Sequence, residues 1–98
     1  MEQQRVIRVL QDHAAELKAA GIVHLRVFGS VARNEATAES DVDILADLDL
    51  SRRFTLVTLG HLESRLADLL GMRVDLSSPA WMPQPVRERA LREAILAF

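Results

Sequence analysis

The run Asp41-Val42-Asp43-Ile44-Leu45-Ala46 constrains this chain more than any other stretch. Side chains alternate across a strand, so Val42, Ile44 and Ala46 share one face while Asp41, Asp43 and Leu45 share the other. The first set is apolar and points into a core. The second places two carboxylates about 7 Å apart on the opposite face. Two such charges gain nothing from each other. A divalent cation reverses that balance, because hard oxygen ligands converging on one point are what Mg²⁺ or Mn²⁺ requires.

A third carboxylate fits the same reading. Asp75 lies in Arg73-Val74-Asp75-Leu76, a short strand pattern with Val74 and Leu76 on the buried side. If that strand runs beside the first in the same direction, Asp75 completes a triad able to hold two metals about 4 Å apart. Upstream, the apolar run Ile22 to Phe28 ends in Gly29-Ser30. A glycine there permits close approach of a phosphate, and its neighbours supply backbone N–H groups and a hydroxyl. Arg33, one turn later, can reach the same anion. Phosphate donors on one side and metal-binding acids on the other describe a nucleoside-triphosphate site.

The remaining chain supplies a frame for it. Val6, Ile7, Leu10, Ala14 and Leu17 predict an amphipathic helix over residues 3–19, with Gly21 as its stop. A strand follows over 22–28, a short helix over 30–33, a polar loop over 34–40 and a strand over 41–46. A leucine-striped helix (Leu56, Leu59, Leu62, Leu66, Leu69, Leu70) spans 51–70 and closes at Gly71. A strand over 72–76 leads into a proline-broken connection. A last helix then opens at Gln84 or Pro85, with Val86, Ala90, Leu91, Ala94, Ile95 and Phe98 on its apolar side. The order α-β-α-β-α-β-α predicts an α/β fold, a short mixed sheet of about three strands packed with about four helices, forming a single domain over 1–98.

Composition narrows the partners. With 49% hydrophobic and 27% charged residues the chain is globular. Its net charge of −2 provides no basic field for a nucleic-acid backbone, so no direct nucleic-acid binding is expected. Cysteine is absent, which excludes disulfides, thiolate catalysis and zinc–thiolate sites. No apolar stretch approaches the roughly 20 residues that span a bilayer, and the amphipathic start is not a signal peptide. A cytoplasmic protein is expected. His13, His24 and His61 show no metal-ligand spacing, and Trp81 between prolines reads as a packing plug or a partner contact.

Gly29-Ser30-Val31-Ala32-Arg33, then Ser40-Asp41-Val42-Asp43-Ile44, then Val74-Asp75-Leu76 together resemble the minimal nucleotidyltransferase family of the DNA polymerase beta-like superfamily. Asn34 stands where that family usually has glycine, and Asn tolerates a positive φ. The resemblance implies transfer of AMP from ATP to an acceptor hydroxyl. Asp41, Asp43 and Asp75 would be the catalytic metal ligands, Gly29 and Ser30 would hold the triphosphate, and Arg33 would be a further phosphate contact. It also implies an antitoxin that modifies a tyrosine of a HEPN-family toxin encoded by a neighbouring gene, in a hetero-oligomer. Two other functions fit the same residues: a non-catalytic module that neutralises its partner by occlusion, and a small-molecule nucleotidyltransferase with a separate substrate-binding subunit.

Overall fold

The structure, a computed structural model, describes residues 2–37 and 39–98. Helices α1 (Glu2–Asp12) and α2 (Ala14–Ala19) lead into strand β1 (Ile22–Phe28) and the one-turn helix α3 (Gly29–Ala32). Strand β2 (Val42–Leu48), helix α4 (Leu56–Leu70) and strand β3 (Val74–Ser77) follow. A 3₁₀ turn at Pro79–Trp81, helix α5 (Gln84–Glu93) and strand β4 (Ile95–Leu96) complete the order. The sheet runs β3-β2-β1-β4. β2 and β3 are parallel; β1 is antiparallel to both β2 and β4. The sheet is thus mixed, as expected, with one strand more than expected.

The main core lies on the even-numbered face of β2. Val42, Ile44 and Ala46 are buried there with Val6 and Leu10 of α1, Leu17 of α2, and Leu62, Leu66 and Leu70 of α4. α4 is placed by its ends. Thr55 and Thr58 form a reciprocal capping box, and Gly71 stops the helix in the left-handed region at φ 65°. The helix therefore starts five residues later than the periodicity suggested, because residues 51–54 precede the Thr55 cap. Leu56, at its first position, is 88% exposed rather than core.

Two further expectations are corrected. The predicted 3–19 helix breaks at His13, whose φ of −108° and ψ of 16° leave the helical region. The His13 ring bonds the Val9 carbonyl at 2.9 Å, and its backbone N–H is shared between the Val9 and Leu10 carbonyls. A side chain competing for an i−4 carbonyl weakens the ladder at that point. The last helix does not run to Phe98. It ends at Glu93, and the tail pairs with the free edge of β1, with Arg26 opposite Leu96 and the Ala97 N–H donating to the Leu25 carbonyl at 2.8 Å. Ala94, Ile95 and Phe98 fit a helical stripe, but Ile95 and Ala97 fit a strand equally well, and an unpaired sheet edge decides between them. As a result Val86 and Leu91 stay exposed on α5, and Ala90 is its buried residue.

Candidate active site

The parallel register of β2 and β3 sets Asp43 directly opposite Asp75 and Val42 opposite Val74. The direction that the sequence left conditional is therefore the one required: both carboxylates stand on the face away from the main core. Asp43 is half-buried and Asp75 exposed. Antiparallel pairing on the other side brings Phe28, the last residue of β1, opposite Asp43. The turn after β1 thus lies against the acids.

Gly29 adopts φ +74°, and a Cβ there would run into the Asp43 carboxylate, with Cγ at 3.1 Å and Asp43 Cβ at 3.3 Å. Glycine is needed here for a reason that the sequence did not reveal. It makes room for an acid as well as for a phosphate. Ser30 follows, half-buried, and its carbonyl accepts from the Glu35 N–H at 2.8 Å. Asn34 takes φ 62°, so the turn does use the left-handed conformation that glycine would supply.

Burial pushes the Asp43 carboxyl above its usual range, the Asp75 charge adds to the rise, and Asp41 adds a smaller share; Arg33 acts in the opposite direction. A cation bound beside these acids would relieve both the burial and the like-charge cost. The donor set, carboxylate oxygens alone, suits a hard divalent ion.

The other predicted residues are placed less tightly. Asp41 is exposed, one residue before β2, and its Oδ1 forms an ion pair with Arg73 Nε at 3.0 Å. Arg33 pairs with Glu35 at 3.1 Å and lies 4.0 Å from Glu93 on α5. Among the described residues no three His, Cys, Asp or Glu side chains close on one point tightly enough to grip a metal ion. Asp41, held by Arg73, is turned to a partner of its own.

Two features of this face escaped the sequence. Leu45, between Asp43 and Asp47, is fully buried although it points away from the main core. The 3₁₀ turn packs on β2 and against α5, so this side carries a partial second layer. Arg26 Nη1 donates to Asp47 Oδ2 at 2.6 Å below it. Cross-strand charges of opposite sign were the available signal, but pairing β1 with β2 required the register.

A family model described as the nucleotidyltransferase domain matches residues 8–97. The chain belongs to this nucleotidyltransferase family. Protein adenylyltransferase MntA of Thermococcus cleftensis is 38% identical over 88 residues, covering 89% of this chain and 87% of its own length. A solved structure assigned as a minimal nucleotidyltransferase superposes with a TM-score of 0.78 at 41% identity, over 97% of this chain and 95% of that one. A toxin–antitoxin crystal structure with AMP-PNP matches at TM-score 0.71 and 17% identity, over all of this chain and 73% of that one, and so shares the fold. The chain is accordingly a nucleotidyltransferase with the minimal fold of that family. No helix of this nucleotidyltransferase is long and apolar enough to cross a membrane among the described residues.

Proposed function

We propose that this nucleotidyltransferase transfers AMP from ATP to a hydroxyl, a tyrosine, of a HEPN-family toxin made by a neighbouring gene, breaking the bond between the α- and β-phosphates and releasing pyrophosphate, and so acts as its antitoxin in the cytoplasm. The pairing of Asp43 with Asp75 on adjacent parallel strands, with Gly29 packed on Asp43, carries the reading. The adenylyltransferase name of a relative that matches nearly end to end supports AMP as the group transferred. The toxin–antitoxin structure of the same fold supports the partner class.

In this proposal Asp41, Asp43 and Asp75 hold Mg²⁺ or Mn²⁺, which when bound polarises the phosphate under attack and neutralises its charge. Asp75, exposed at the edge strand, faces the entry side and accepts the proton of the incoming hydroxyl. Gly29 and Ser30 hold the triphosphate through backbone N–H groups and the serine hydroxyl. Arg33 adds a charge-assisted contact once it leaves Glu35. Toxin and antitoxin form a hetero-oligomer during transfer.

The test is incubation with labelled ATP, Mg²⁺ and the neighbouring gene's product. Label on that protein, lost in Asp41→Ala and Asp43→Ala, is the expected result. Neutralisation that survives both changes means occlusion instead. Label on a small molecule means an acceptor of another class.

A further inference from the structure

Four charged side chains stand at the same end of the β2–β3 pair: Asp41 and Asp43 on the β2 side, Arg73 and Asp75 on the β3 side. The register pairs Val42 with Val74 and Asp43 with Asp75, so one step back it sets Asp41 across from Arg73. Alternation puts Asp43 and Asp75 on the same face. Asp41 and Arg73 lie one residue before their strands, where they turn to the α4 side, and three contacts hold Arg73 there. Its Nε lies 3.0 Å from Asp41 Oδ1 in an ion pair, and its Nη2 donates to the Glu39 carbonyl at 3.3 Å. Its own carbonyl accepts from the Val42 N–H at 2.8 Å. Asp41 and Arg73 border a cavity of about 320 Å³, lined on its other side by Glu63, Ser64 and Ala67 of α4.

We infer that Arg73 is the resident counter-ion of Asp41, displaced when a divalent cation arrives with the nucleotide. The inference rests on the assignment of Asp41, Asp43 and Asp75 as metal ligands. A guanidinium stays charged at every working pH, so it competes with metal for Asp41 at all times. The pair is exposed, with the Arg73 side chain 80% accessible, and an exposed pair is weak enough to yield. Asp43 and Asp75, opposite each other, offer the first ligands. Asp41 joins them only when it gives up Arg73. The cost of parting the pair lowers the affinity of the site for the cation, and a metal–triphosphate offsets it with phosphate oxygens that complete the shell.

Calorimetric titration with MnCl₂ and no nucleotide, on the wild type, Arg73→Ala and Arg73→Lys, tests this. Removing the competitor is expected to tighten Mn²⁺ binding about two- to fivefold, the range that an exposed ion pair supplies, with Arg73→Lys in between. Unchanged or weaker binding in Arg73→Ala overturns the inference and makes Arg73 a support for the 39–42 segment. If Arg73→Ala fails to fold, the wild type still decides. The Arg73 Nε–H resonance in a ¹⁵N spectrum must move on addition of Mg²⁺ with AMP-PNP, and an unmoved signal overturns the displacement. A wild type that takes up no Mn²⁺ with or without nucleotide overturns the ligand assignment itself, a failure distinct from the other two.

Discussion

The carboxylate of Asp43 fills the space that a side chain on residue 29 would need, and Gly29 holds φ +74° beside it. Strand and turn are thereby locked to each other at the point where phosphate and metal would meet. Gly29→Ala strains the backbone and drives a methyl into that acid at once. We expect a loss of about 1–3 kcal/mol, a melting point lower by roughly 5–20 °C, and no label transfer from ATP even at temperatures where the variant is folded. Thermal denaturation followed by a transfer assay checks both.

Asp43→Asn should separate stability from activity. The folded state raises the Asp43 pKa through burial, then Asp75, then Asp41. The folded protein therefore holds that proton more tightly than the unfolded chain. Above the raised value the ionised group costs stability, and below the unfolded value of 3.8 the cost is gone. Metal-free Asp43→Asn should thus exceed the wild type at pH 7 by up to about 1 kcal/mol, with the gap closing as pH falls through the carboxylate range. Mg²⁺ with ATP at ten times its Kd should add about 1.4 kcal/mol to the wild type and nothing to Asp43→Asn. Denaturant titrations across pH, with and without Mg²⁺ and ATP, supply the comparison.

Thr55→Ala removes one side of the capping box at the start of α4, where Thr55 accepts from the Thr58 N–H at 3.1 Å. A loss of about 1 kcal/mol is expected, or roughly 4–8 °C in melting point. Transfer per folded molecule should stay at the wild-type level, since the cap is at the opposite end of the β2–β3 pair from the acids.

Ala97 tests the strand that replaced a helix in the reading of the tail. It is 4% exposed and joins the main core. Ala97→Asp buries an unpaired charge and should cost several kcal/mol, enough to unfold the domain in a chemical denaturation series. On an exposed helix face the same change would be nearly silent.

The acids were legible because strand alternation is local: Asp41, Asp43 and Asp75 can be assigned to a face from their neighbours alone. Their meeting across β2 and β3 depends on a parallel crossover, which the sequence reading left as a condition and the register supplies. The His13 break and the β4 pairing were not legible. The first turns on one ring bonding one carbonyl, and the second on a free edge some seventy residues away in the chain. Leu56 misled because a leucine stripe continues past the point where the helix leaves the core. Arg73 stands two residues before Asp75, visible to alternation, but its partner emerges only once the register is known.

That register also fixes where this fold can change length. Asp43 and Asp75 face each other because α4 delivers β3 in step with β2, across the three residues Gly71, Met72 and Arg73. One residue added or lost in that link would turn Asp75 toward α4 and Val74 toward solvent, a switch of faces rather than a small displacement. Drift by insertion and deletion is therefore blocked there, while the polar stretch between α3 and β2 is free to lengthen.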